Sequence, residues 1–150
     1  MKTLSHQKTF KGYCTHNIFG EYKISVPAQN IIYRDYATRN KFTLHLGTNE
    51  LYFENCYLKL ISLVEESNEY DGILMCSFHM LPASKGLRDY LYKKLALNKC
   101  ELHFVLDNWK VKSENEFTEL ETIIEINKII KEKNYQKEIK QVYENFGNWC

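Results

Sequence analysis

The chain carries almost no excess charge: twenty Lys and Arg stand against nineteen Asp and Glu, a formal net charge of +1. No field therefore draws it to nucleic acid or an acidic membrane, and a near-neutral surface slightly favours self-association. No stretch approaches the roughly 18 consecutive apolar residues of a membrane span. The opening residues Met1-Lys2-Thr3-Leu4-Ser5-His6 lack the apolar centre of a secretory signal. No C-x-x-C occurs among the five cysteines (Cys14, Cys56, Cys76, Cys100 and Cys150), which argues against a zinc knuckle or a dithiol redox motif. Cys14, Cys76 and Cys100 lie in or beside apolar runs, where a reduced thiol behaves as a small hydrophobe. A soluble protein of a reducing cytoplasm is expected. Neither G-x-G-x-x-G nor G-x-x-x-x-G-K-[ST] is present, so a Rossmann fingerprint and a P-loop are absent. His and carboxylate residues show no metal-ligand spacing, and no cofactor is implied. With no repeat, low-complexity tract or linker, residues 1–150 are expected to form one domain. A chain of this size buries roughly two-thirds of its unfolded surface.

What is there reads as alternating strands and helices. Phe10–Cys14, Phe42–Leu46, Gly72–Cys76 and Glu101–Leu106 are short apolar runs with strand character. Ile73-Leu74-Met75-Cys76 is continuously apolar, as in a strand covered on both faces. A first helix opens at Ser25, a good N-cap, with Pro27 in the first turn. A second is expected over about Leu51–Ser67 and a third over about Ser84–Asn98. The order implies parallel strands joined by right-handed crossovers: a three-layer α/β domain with a small, mainly parallel sheet of four or five strands. Ser113-Glu114-Asn115-Glu116 is a capping box that opens an isoleucine-rich helix. A final short helix follows over about Tyr135–Phe146, so that 113–146 forms a helical extension packed on the domain. The Ile-rich arc, from Ile123 to Ile130, is broader than one sheet face requires; the alternative is a dimer or partner helix pair.

In an open α/β sheet the chemistry sits beyond the carboxyl ends of the strands, and several polar clusters fall near such places. Tyr13, Thr15 and His16 end the first strand and enter a loop; His16 is either a general base or a solvated loop histidine. Gln29, Asn30, Arg34 and Asp35 occupy the early turns of the first helix. Asn30 and Arg34, four apart, share one face and can meet a ligand beside the helix start, where anions are favoured. Alternatively Arg34 is held by Glu50 or another carboxylate. Glu50, after the second strand, is an acid, a base or a hydroxyl-binding group, or else caps the following helix. Ser77 and His79 follow the third strand; no G-x-S-x-G elbow surrounds Ser77, so the pair reads as ligand contacts before a nucleophile and its base. His103 reads as a buried strand histidine, and Asp107-Asn108-Trp109 as a loop contact.

Several of these residues recur in order in a known family. Gly12-Tyr13, Val26-Pro27-Ala28-Gln29-Asn30, Arg34-Asp35-Tyr36, Glu50, Asp71-Gly72, Ser77, Leu81-Pro82, Arg88 and Leu102-His103-Phe104 resemble the bacterial sporadic carbohydrate cluster proteins. That resemblance covers about residues 11–108 and implies a setting in surface-polysaccharide synthesis rather than a reaction. The order of elements also resembles the serine recombinase (resolvase) catalytic domain, a resolvase-like or flavodoxin-like architecture. In that family the first strand ends in Tyr-x-Arg-x-Ser. Here Tyr13 is followed by Thr15 at the arginine position and Asn17 at the serine position. The family's Asp-Arg-Leu-x-Arg is met only by His79-Met80-Leu81-Pro82-Ala83. The resemblance therefore implies the architecture without recombination.

Together these readings predict a cytoplasmic protein of capsule, O-antigen or lipopolysaccharide-type synthesis. It would bind a sugar, nucleotide sugar or sugar phosphate across the strand carboxyl ends, and if an enzyme would modify it. Glu50, Ser77 and His79 would be catalytic; Tyr13, Thr15, Gln29, Asn30, Arg34 and Asp35 would bind ligand. The alternative is a non-catalytic partner of a glycan-synthesis enzyme, docking or dimerising through the C-terminal helices.

Overall fold

A computed structural model of the protein describes residues 7–146, the side chains of 143, 145 and 146 excepted. Met1–His6 and Cys150 lie outside the described residues. The chain divides into two compact units, Met1–Glu114 and Asn115–Cys150.

The first unit alternates as expected: β1 (Thr9–Cys14), α1 (Val26–Asn40), β2 (Thr43–Asn49), α2 (Leu58–Glu65), β3 (Gly72–Met75), α3 (Lys85–Leu97), β4 (Glu101–Phe104) and β5 (Trp109–Val111). The sheet order is β2-β1-β3-β4-β5, with the first four strands parallel and β5 antiparallel to β4. This is a doubly wound α/β sheet closed by one antiparallel edge strand.

Local chemistry accounts for two helix starts. The Ser25 hydroxyl accepts the Ala28 N–H at 3.3 Å, and Ser84 does the same for Leu87 at 3.3 Å. The second helix departs from expectation, beginning at Leu58 instead of near Leu51. Asn55 adopts a left-handed backbone (φ 55°), which keeps the preceding loop out of a helix, and Tyr57 at the N-cap contributes no side-chain bond. A more distant residue, Glu50, supplies that cap.

One face of the sheet carries α1. Phe10 stacks on Phe42 at 4.3 Å and lies 4.8 Å from the His103 ring, with Tyr33, Tyr36 and Ala37 of α1 buried on the same side. The other face is aliphatic: Leu60, Ile73, Met75, Leu91, Leu95 and Leu102 close to within a residual cavity of about 10 Å³. Packing this dense leaves each large side chain worth roughly 1.5–3 kcal/mol of burial.

The C-terminal segment also departs from expectation. It is one continuous helix, α4 (Glu114–Phe146), with no Pro or Gly to break it. One apolar stripe, Phe117, Leu120, Ile124, Tyr135, Ile139 and Val142, keeps helical phase through the segment. Ile126, Ile129 and Ile130 stand about half exposed. No helix among the described residues is long and apolar enough to cross a membrane.

Candidate functional site

The polar residues at the strand carboxyl edge are held fast by one another. Glu50 is 3 % exposed, yet its carboxylate meets a full set of donors. Tyr13 OH donates at 2.8 Å, the backbone N–H groups of Leu51, Lys59 and Leu60 at 3.0–3.1 Å, and the Cys56 thiol at 3.6 Å. Two of those N–H groups are orphans of the first turn of α2, so Glu50 acts as a tertiary N-cap on the positive end of the helix dipole. Burial, and then the bond to Glu50, raise the Tyr13 hydroxyl far above the usual tyrosine range.

Gln29, fully buried, performs a similar service for the loop after β1. Its amide oxygen accepts the Thr15 N–H at 3.0 Å, while its NH₂ donates to the Thr15 carbonyl at 2.7 Å and the Ile24 carbonyl at 2.8 Å. The Thr15 hydroxyl accepts the Asn17 N–H at 3.2 Å. The amide thus pairs like one rung of a sheet and fixes both ends of the loop.

Ser77 is buried and donates to the Asp107 carboxylate, 3.0 and 3.3 Å from its two oxygens. Asp107 also accepts the Phe78 N–H at 2.8 Å. Ser77 meets His79 only through the main chain, accepting its N–H at 3.3 Å. The His79 ring lies 4.3 Å from the Phe78 ring and is approached on another side by Gly20 (φ +60°), where a Cβ would collide with it. The serine thus faces a carboxylate rather than an imidazole base.

Arg88, buried, donates to the Pro82 and Ala83 carbonyls at 3.0 and 2.8 Å, tying down the turn before α3. At the opposite end of the sheet, His103 Nδ1 lies 2.8 Å from Tyr36 OH and Nε2 2.9 Å from Glu101. Burial depresses the His103 pKa to about 4, against the pull of Glu101. Burial would raise the Glu101 pKa, but hydrogen bonds from Lys8 and His103 outweigh it and leave the carboxyl below its usual range. With the imidazole neutral, Tyr36 OH donates to Nδ1 and Nε2–H donates to Glu101.

A different arrangement lies between α1 and the edge strand. Asn30, Tyr33 and Arg34 form one wall of a groove of about 220 Å³; Leu44, Leu46 and Gly47 of β2 form the other, with Gly12 of β1 at its base. The groove exists because of a β-bulge, in which the register slips between Lys11 and Tyr13 so that Gly12 lies opposite Leu46 and Gly47. A Cβ at Gly47 would strike the Gly12 carbonyl oxygen, and one at Gly12 would strike the Tyr33 ring. His45 borders the groove but pairs in register with Lys11, whose ammonium lies over the Tyr70 ring on the opposite face, so it contributes backbone.

Within the groove Arg34 is exposed and, among the described residues, has no hydrogen-bond or ion-pair partner. Asn30 Oδ1 accepts the Cys14 thiol at 3.5 Å, which leaves its NH₂ as a second donor. Burial pushes the Cys14 thiol up to about 12, so it stays protonated as that donor.

Of the expected site residues, the structure brings together Tyr13 with Glu50, Thr15 with Gln29, and Asn30 with Arg34. It separates Asp35, which turns outward and pairs with Arg39 at 2.8 Å. Neither Glu50 nor any other carboxylate holds Arg34 among the described residues. The Asn30–Arg34 donors face the middle of β2 rather than the strand carboxyl ends. Sequence reasoning missed the second wall of the groove; its signal was a glycine, Gly47, inside an otherwise strand-like run.

No family model matches the chain, and no curated protein matches it. Solved structures do. The chain is similar to the N-terminal catalytic domain of TP901-1 integrase, at 20% identity and a TM-score of 0.59, covering 85% of this chain and all of that one. It is also similar to a resolvase family site-specific recombinase from Streptococcus pneumoniae, at 12% identity and a TM-score of 0.59, covering 91% of this chain and 99% of that one. At such identities the likeness establishes the fold: a mixed α/β, resolvase-like domain with a C-terminal helix.

Proposed function

We propose that this is a cytoplasmic protein of bacterial surface-glycan synthesis that binds a sugar phosphate, or the sugar-phosphate part of a nucleotide sugar, without breaking bonds in it. The observation that carries the reading is the α1–β2 groove, lined by the Arg34 guanidinium, which has no partner among the described residues, and by Asn30, whose NH₂ makes no hydrogen bond among them. Two donor groups without an accepting partner suit an anion, and a guanidinium suits phosphate or carboxylate best. Size narrows the ligand: about 220 Å³ is below the roughly 300–1,000 Å³ of a pocket enclosing a drug-sized molecule. A phosphate with one sugar ring fits that scale; a whole nucleotide sugar would extend beyond it.

The glycan setting rests on the residue pattern, which contributes Asn30 and Arg34 to the α1 wall. The binding reading is preferred to catalysis by Glu50, Ser77 and His79 because the first two have their lone pairs and proton committed inside the fold. A thermal-shift screen with inorganic phosphate, hexose phosphates and nucleotide sugars tests it. A ligand at a hundred times its Kd adds about 2.7 kcal/mol of stability. The shift should appear with a hexose phosphate and vanish in Arg34→Gln; no shift with any of these probes would sink the reading.

A second reading is favoured by the half-exposed Ile126, Ile129 and Ile130 of α4: a non-catalytic subunit that docks on a glycan-synthesis enzyme. Ile126→Glu should then abolish capture of that enzyme from cells; an undiminished complex would count against it.

A further inference from the structure

The two edges of the sheet are built differently. The β5 edge is three residues long and carries exposed Lys110, with exposed Lys112 immediately after it. Short length and edge lysines are the usual means of keeping a free strand from pairing. The β2 edge has neither. It runs seven residues, Thr43–Asn49, without one Asp, Glu, Lys or Arg, and Leu46 on it is 95 % exposed.

Backbone polarity says what kind of group would cover it. The Thr43 N–H donates to the Lys8 carbonyl of the β1 side at 2.8 Å, and His45 keeps that register, so strand alternation directs the N–H and C=O of Leu44 and the N–H of Leu46 away from the sheet. No strand pairs with that side among the described residues. Only another extended backbone satisfies such a row in register.

We infer that the outer edge of β2 is a pairing edge whose occupant is β2 of a second copy, joined antiparallel about a two-fold axis. Leu44-His45-Leu46 is self-complementary in that arrangement: centring the pair on His45 sets Leu46 of each copy opposite Leu44 of the other, on the face that carries α1. Two five-stranded sheets become one continuous sheet. The symmetry closes, because each copy offers one open edge and its β5 edge is blunted; a dimer forms rather than a fibre. A net charge of +1 opposes association little. The inference goes beyond the binding reading and does not depend on the groove's being filled.

Sedimentation equilibrium on the full chain tests it, with Leu46→Lys and, on α4, Ile130→Glu. Both positions are exposed, so folding should survive, and circular dichroism checks that it does. Wild type should dimerise, Leu46→Lys should weaken the dimer by about tenfold or more, and Ile130→Glu should leave it unchanged. Hydrogen exchange on wild type gives an independent readout: the Leu44 and Leu46 amides should become protected as protein concentration rises. A monomeric wild type, a dimer untouched by Leu46→Lys, a dimer lost in Ile130→Glu alone, or edge amides that exchange at the same rate at every concentration would each overturn it.

Discussion

The strand carboxyl edge and the α1–β2 groove hold similar residue types put to opposite uses. At the edge, Glu50, Gln29 and Ser77 are buried, and each makes hydrogen bonds that hold a helix start or a loop. In the groove, Arg34 and the Asn30 NH₂ have no accepting partner among the described residues. A polar residue near a strand end is therefore not in itself a site. Buried polar groups must be satisfied, and the folding chain satisfies them with the nearest orphaned backbone. What distinguishes a binding group is capacity left over after folding. The comparison makes a graded claim: substitutions at the edge should cost stability, and those in the groove should cost affinity.

The largest effect should come from Glu50. Glu50→Ala removes the acceptor for Tyr13 OH and for the Lys59 and Leu60 amides, all in a buried site, and should cost roughly 3–5 kcal/mol in urea unfolding. Glu50→Gln keeps the shape but turns an NH₂ toward donors, and should still cost about 2 kcal/mol or more. A Gln variant as stable as wild type would mean that the carboxylate is free for other work, and the comparison would break.

Next is the pH dependence set by His103. Its folded-state pKa of about 4 lies below the 6.5 of an unfolded histidine, so the unfolded chain binds the extra proton first. Stability from this group is complete above about pH 6.5 and is lost as pH falls toward about 4, by roughly 2–3 kcal/mol. Glu101, held below its usual range, adds a loss that begins only as pH falls through the carboxylate region. Unfolding free energies from pH 7 to pH 4 should show this slope, and His103→Asn should flatten it. An unchanged slope in that variant would assign the acid sensitivity elsewhere.

Much of this framework was legible in the sequence, and where it was not the reason is physical. Ser25 and Ser84 were readable as caps because their partners are three residues away. The start of α2 was not, since its cap, Glu50, reaches it across a loop. The unbroken α4 was hidden because the polar run Lys131-Glu132-Lys133-Asn134 interrupts the apolar pattern without containing a helix breaker. Helical spacing brought Asn30 and Arg34 together on one face, as expected. It could not say that β2, through the bulge at Gly47, supplies the facing wall. Nor could it tell that Gln29, one residue before Asn30, faces the loop and is lost to any ligand. Adjacent residues on a helix point about 100° apart, and only the packed fold shows which direction is the interior.

A smaller effect is expected at Ser77. Ser77→Ala removes one bond to Asp107 but leaves the Phe78 amide on the same carboxylate, so the cost should be roughly 1–2 kcal/mol. Ser77→Thr is the sharper probe, since it keeps the hydroxyl and adds a methyl at a site with no exposed surface. If the loss in Ala comes from the hydrogen bond, Asp107→Asn should reproduce most of it, and the double variant should fall short of additivity. Full additivity would mean that the two side chains act separately.

The smallest effect on stability should be at Arg34, and there the comparison is most exposed to failure. The side chain is solvent-exposed and makes no ion pair among the described residues, so Arg34→Gln should change unfolding free energy by less than about 0.5 kcal/mol. Yet it removes the groove's guanidinium, and hexose phosphate affinity should fall by roughly tenfold or more, about 1.4 kcal/mol. Arg34→Lys separates charge from shape: a point charge restores attraction but not the planar fork, and should recover only part of the affinity. Asn30→Asp is the complement, since a carboxylate beside Arg34 would pair with it and repel phosphate without touching the core. The three variants thus vary capacity for an anion at nearly constant stability, the inverse of the Glu50 series. A large stability loss in Arg34→Gln would mean that the guanidinium helps to hold the fold, and the distinction between the two regions would collapse.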